Sequence, residues 1–96
     1  MKHCILVKLT PEGKERLPEM LPEIRALFEQ TLSIEGVTAI DCKRNCIDRP
    51  NRSDLLIEMT MTEGALPVYD ASEPHRQWKE GYGKYIASKA IFDFED

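Results

Sequence analysis

A chain of 96 residues with 42% hydrophobic and 31% charged side chains has the composition of one globular domain with a modest core, not of a disordered or fibrous segment. Its formal net charge of −4 lacks the basic excess that nucleic-acid binding draws on, and no apolar run approaches the roughly 18 residues of a membrane span, so neither partner is expected. Cys4, Cys42 and Cys46 are an odd number without metal-ligand spacing, and no charged-then-apolar leader opens the chain, so reduced thiols and a cytoplasmic location are expected.

Lys2 to Leu9 alternates as a strand, with His3, Ile5, Val7 and Leu9 on one side and Cys4, Leu6 and Lys8 on the other. Thr10-Pro11 then reads as an N-cap followed by proline at the first helical position. Gly13, Pro18 and Pro22 predict an interrupted segment, with a firm helix only from about Glu19 to Leu32, where Met20, Leu21, Ile24, Leu27, Phe28 and Leu32 form a stripe. Glu35-Gly36 punctuates. A second strand follows from Val37 to Asn45, with Ile40 and Cys42 on one side and Val37, Ala39 and Asp41 on the other. Ile47 to Arg52 is a polar connection. A third strand, Ser53 to Met61, sets Leu55, Ile57, Met59 and Met61 against Asp54, Leu56, Glu58 and Thr60. A short helix carries Leu66 and Tyr69. Ser72 caps another running towards Ser88, and Lys89 to Phe94 is the last strand, with Ile91 facing one way and Ala90, Phe92 and Phe94 the other. The order β-α-β-β-α-β is the ferredoxin-like α+β arrangement with a four-stranded antiparallel sheet, over one domain spanning residues 1–96.

Helices on one side of such a sheet leave the other uncovered. That side carries Cys4, Leu6, Ile40, Cys42, Leu56, Phe92 and Phe94, an apolar surface large enough to predict a homodimer packed sheet to sheet. On the helix side, Ile5, Val7, Leu27, Phe28, Ile57, Met59, Trp78 and Tyr82 are expected as core first and as walls of a small-molecule pocket second.

Pro74 disfavours helical dihedrals at Glu73, so the chain is expected to break near Ser72-Glu73. On an unbroken helix Tyr69 and His75 would lie about 120° apart; across a kink they can converge. His75 near a helix N-terminus favours its neutral, basic form and could take a proton from carbon beside a carbonyl. Tyr69 could donate to the oxygen that gains charge, and His3 could complete a polar cluster. The plainer readings are a structural histidine, a core tyrosine and a frayed terminal histidine. No metal or cofactor is expected, and the acidic end Asp93 to Asp96 reads as a solvated tail.

Lys2-His3 opening the first strand with Lys8 near its end, Gly36-Val37, Asn45, Asp54, Tyr69 before Pro74-His75, and Ile91-Phe92-Asp93 together resemble the stress-responsive dimeric α/β-barrel (Dabb) domain family. Lys43, Glu35 and Glu73 depart from its usual glycine, proline and histidine at turns and rims. The resemblance implies a homodimeric barrel with a cavity in each subunit. It also implies, from a plant branch of polyketide cyclases, catalytic roles for His3, Tyr69 and His75 in an intramolecular aldol condensation without a cofactor. The leading functional expectation is a stress-responsive dimer that binds a small molecule without chemistry; the cofactor-free enzyme and a monooxygenase-like barrel are the alternatives.

Overall fold

The alternation at the start of the chain forms strand β1 (Lys2–Leu9) in a computed structural model that describes all 96 residues. Helix α1 (Pro11–Glu29) and a 3-10 turn (Gln30–Ser33) lead to β2 (Val37–Arg44) and β3 (Leu55–Met61). The second crossover is divided into α2 (Ala65–Asp70) and α3 (Glu73–Tyr82), and a 3-10 turn (Gly83–Tyr85) delivers β4 (Ile86–Phe94). All pairings are antiparallel, in the order β2-β3-β1-β4. The expected ferredoxin-like architecture is present. No helix is long and apolar enough to cross a membrane.

Helix α1 corrects the expected interruption: it runs unbroken through Pro18 and Pro22. Thr10 caps it, its Oγ1 accepting from the Gly13 amide at 3.1 Å. Gly13, Leu17, Met20, Ile24, Leu27 and Phe28 form a buried stripe against the sheet, whereas both prolines lie on the exposed side. Each proline removes a donor from a carbonyl one turn earlier, and on that side water can satisfy the carbonyl instead. Burial of the stripe decides the outcome. At Gly13 the helix approaches the chain before β4 closely, since a Cβ there would stand 2.8 Å from the Tyr85 carbonyl oxygen.

Strand β2 corrects the face assignment of Ile40 and Cys42. Its register against β3 shifts between Val37 and Ala39, so that Val37 pairs with Met61, Ile40 with Met59 and Cys42 with Ile57. One extra residue reverses the alternation. Val37, Ile40 and Cys42 therefore all face the helices, and Ala39, Asp41 and Lys43 face outwards. Cys42 is 2% exposed within the core, where burial pushes its thiol pKa up to about 11. Neither Ile40 nor Cys42 belongs to the outer surface.

The rest of that surface lies as expected. Cys4 pairs with Glu58 and Phe92, and Leu6 with Leu56 and Ala90, which sets these side chains on the face without helices. Phe92 is 62% exposed there and Phe94 40%. Val7, Leu27, Phe28, Ile57 and Met59 are buried in the core between sheet and helices.

Candidate functional site

Glu73 and Pro74 begin α3 immediately after α2 ends, and Ser72 makes the corner. Its hydroxyl donates to the Tyr69 carbonyl at 2.7 Å and accepts from the His75 amide at 3.4 Å. The two rings are thereby brought to a centroid separation of 4.9 Å, edge to face. His3, from β1, also meets the phenol edge to face, at 5.7 Å, so Tyr69 touches two imidazoles.

A cavity of about 300 Å³ opens beside these rings. Strand β1 contributes His3 and Ile5, β4 contributes Lys89, Ile91 and Asp93, α2 contributes Leu66, Tyr69 and Asp70, and α3 contributes His75 and Trp78. A second concavity of similar size, by the β2–β3 connection, includes Lys14, Cys46, Asp48 and Asp54. Its lysine is already paired with Asp48 at 3.1 Å and Asp54 at 3.7 Å, and it gathers neither histidine nor tyrosine. The Tyr69 cavity is the better site for chemistry.

Tyr69 is 1% exposed, and its hydroxyl is the one buried side-chain polar atom without a hydrogen-bond partner. Burial, with the Asp70 carboxylate nearby, raises its pKa well above the ordinary value. The phenol is therefore a hydrogen-bond donor at any physiological pH. Burial also lowers the pKa of His75, the cause that outweighs the Asp70 carboxylate and main-chain carbonyl, while Lys79 and Lys89 act in the same direction as burial. The ring is neutral near pH 7. His3 Nδ1 lies 2.5 Å from Asp93 Oδ1, which makes Nδ1 the protonated nitrogen and orients the ring. A neutral base, a protonated phenol and an oriented second imidazole can polarise a carbonyl and move a proton beside it.

Of the expected pocket walls, Ile5 and Trp78 line the cavity. Val7, Leu27, Phe28, Ile57 and Met59 do not. They pack behind it, Phe28 lying 6.5 Å from Tyr69 and 5.3 Å from Trp78 between ring centroids. Tyr82 is also placed elsewhere: its hydroxyl donates to Glu23 at 3.0 Å, tying α3 to α1. Asp93, read as part of a solvated tail, is instead the partner of His3. Alternation from Ile91 puts both Lys89 and Asp93 on its side of the strand, the one sequence signal that points to them as cavity residues. No group of three or more metal-ligating side chains converges anywhere in the chain.

No family model and no curated protein matches the sequence. Among solved structures, a dimeric protein of unknown function with a ferredoxin-like fold from Bacteroides fragilis superposes with a TM-score of 0.80 at 16% identity, covering 99% of this chain and 94% of that one. A Dabb family protein with a ferredoxin-like fold from Mesorhizobium loti gives 0.65 at 13% identity, covering 99% and 94%. A candidate antibiotic biosynthesis monooxygenase from Bacteroides thetaiotaomicron gives 0.70 at 16% identity, covering 100% and 88%. The fold is shared with all three, and the Dabb resemblance read from the sequence has its structural counterpart.

The state of His75 is directly measurable. An NMR titration is expected to place its midpoint below the ordinary 6.5. The unfolded chain then takes up this proton first, so the associated stability is present above 6.5 and is lost as pH falls through the folded-state midpoint. A midpoint above 6.5 would identify an ion-paired structural histidine and remove the base from the site.

Proposed function

We propose that the chain forms a homodimeric α/β barrel in which each subunit binds a small carbonyl compound in the cavity that Tyr69 and His75 line. The unpartnered Tyr69 hydroxyl carries this reading. Leaving such a group unsatisfied inside a protein costs on the order of 1–3 kcal/mol, which a ligand oxygen accepting its hydrogen bond would offset. Ile5, Leu66, Ile91 and Trp78 offer an apolar surround for the hydrocarbon part of the ligand, and about 300 Å³ suits a molecule of one ring and a short chain. Support for the dimer comes from Leu6, Leu56, Phe92 and Phe94 on the helix-free face and from the dimeric state named for the Bacteroides fragilis protein.

The neutral His75 favours a second reading, a cofactor-free acid/base enzyme. His75 would remove a proton from the carbon beside the ligand carbonyl. The C–H electron pair would form the enolate C=C bond as charge moves to the oxygen facing the Tyr69 hydroxyl. Aldol-type closure of a polyketide-like chain is one reaction open to that enolate. The monooxygenase-like alternative rests on shared fold alone.

Trp78 is the chain's only tryptophan and lines the cavity, so its fluorescence can report binding. Titration with butyrophenone is expected to quench it saturably. Tyr69→Phe should weaken that binding about tenfold while raising the unfolding free energy by about 1–3 kcal/mol, because it removes a buried hydroxyl that has no partner. Equal affinity in both proteins would overturn the binding site. The enzyme reading predicts exchange of the ketone's α-hydrogens with deuterated solvent and its loss in His75→Ala; no exchange above background leaves a binding protein. Sedimentation is expected to give twice the 11.0 kDa chain mass at micromolar concentration. Phe92→Glu should dissociate that particle, since burying the charge would cost several kcal/mol. A monomeric wild type would refute the dimer.

A further inference from the structure

Strand β4 presents Asp93, Ile91 and Lys89 on one face, opposite His3, Ile5 and Val7 respectively, and all three line the Tyr69 cavity. Successive members are about 6.6 Å apart along the strand, so Lys89 is the end member farthest from the His3–Asp93 pair. Asp93 is held by His3, but Lys89 forms no ion pair and its amine makes no hydrogen bond. The cavity lining thus includes two unengaged donors of different kinds, a buried neutral phenol and the ammonium group of an exposed lysine.

We infer that the ligand is an oxo-carboxylate, its carbonyl oxygen accepting from the Tyr69 hydroxyl and its carboxylate held by Lys89. The inference rests on the carbonyl-binding reading and adds the ligand's charge. Lysine on an edge strand also has a plainer use, discouraging edge-to-edge pairing, which needs only that the amine reach solvent. That use does not require its placement beside an unpartnered donor in a cavity. Asp70 is the competing charge at the rim. It is exposed and lies more than 4.0 Å from any lysine amine, so it does not neutralise Lys89. A cationic ligand would be drawn to Asp70 instead, and the same experiment separates these classes.

The experiment compares three aryl ketones that differ only at the chain end: butyrophenone, benzoylpropionate and the matching ammonium ketone. Trp78 fluorescence reads affinity in the intact wild-type protein and in Lys89→Met, Lys89→Arg and Asp70→Asn. Benzoylpropionate is expected to bind wild type roughly tenfold more tightly than butyrophenone, the contribution of about one charge-assisted hydrogen bond. Lys89→Met should abolish that preference, and Lys89→Arg should retain it. Added salt should weaken benzoylpropionate and not the neutral ketone, a wild-type readout that decides the matter should Lys89→Met fail to fold. Equal binding of the two, or a preference that survives Lys89→Met, overturns the carboxylate assignment and leaves the carbonyl site standing. Preference for the ammonium ketone, lost in Asp70→Asn, overturns it in favour of a cation. Binding of none of the three overturns both readings together.

Discussion

The site depends on the Ser72 corner. One hydroxyl donates to the last turn of α2 and accepts from the first turn of α3, so it fixes how the two helices meet. Without that corner, the six-residue spacing between Tyr69 and His75 would send them to different faces of one helix. With it, Tyr69 packs against two imidazoles and Phe28, and Phe28 packs in turn on Trp78. The phenol hydroxyl is buried, and no protein acceptor is supplied. A polar atom is held unsatisfied by apolar packing around it. That arrangement is costly for folding and useful for binding.

The corner was legible because Pro74 acts locally. Pro74 suits the first turn of a helix and Ser72 has the chemistry of a cap, so both signals act within three residues, although Glu73 is itself the first helical residue of α3 and not the non-helical one expected. The same local reasoning misjudged Pro18 and Pro22. It weighed the missing amides and could not weigh the burial of Leu17, Met20, Ile24 and Phe28 on the other side of α1. Tertiary packing decides such a helix, because the lost hydrogen bonds face water.

The outer face illustrates a different limit. Alternation in β1, β3 and β4 assigned Cys4, Leu6, Leu56, Phe92 and Phe94 correctly, since those strands keep their phase over the residues concerned. In β2 the register shift near Thr38 inverts the pattern, and Ile40 and Cys42 go to the core. A bulge is set by its partner strand and by the entry from Gly36, whose φ of 94° is left-handed and favours glycine. Nothing in the local composition of β2 announces it. The placement of Asp93 and Lys89 is legible in the sequence, since both follow from Ile91 by steps of two. They were passed over because a charged strand end reads as solvated until its cross-strand neighbour is known to be His3.

Strand β4 connects the two proposed surfaces. It lies at the edge of the sheet, pairs only with β1, and is exposed along nearly its whole length. One face carries Phe92 and Phe94, and the other carries Lys89, Ile91 and Asp93. An edge strand held by one ladder is free to twist and fray more than a central one. In the proposed dimer, a second copy packing on Phe92 and Phe94 would restrain β4 from outside and hold Asp93 against His3 within. The same restraint would fix the distance between Lys89 and the Tyr69 hydroxyl. Dimerisation and recognition at the cavity then draw on one element, because alternate side chains of a single strand serve both.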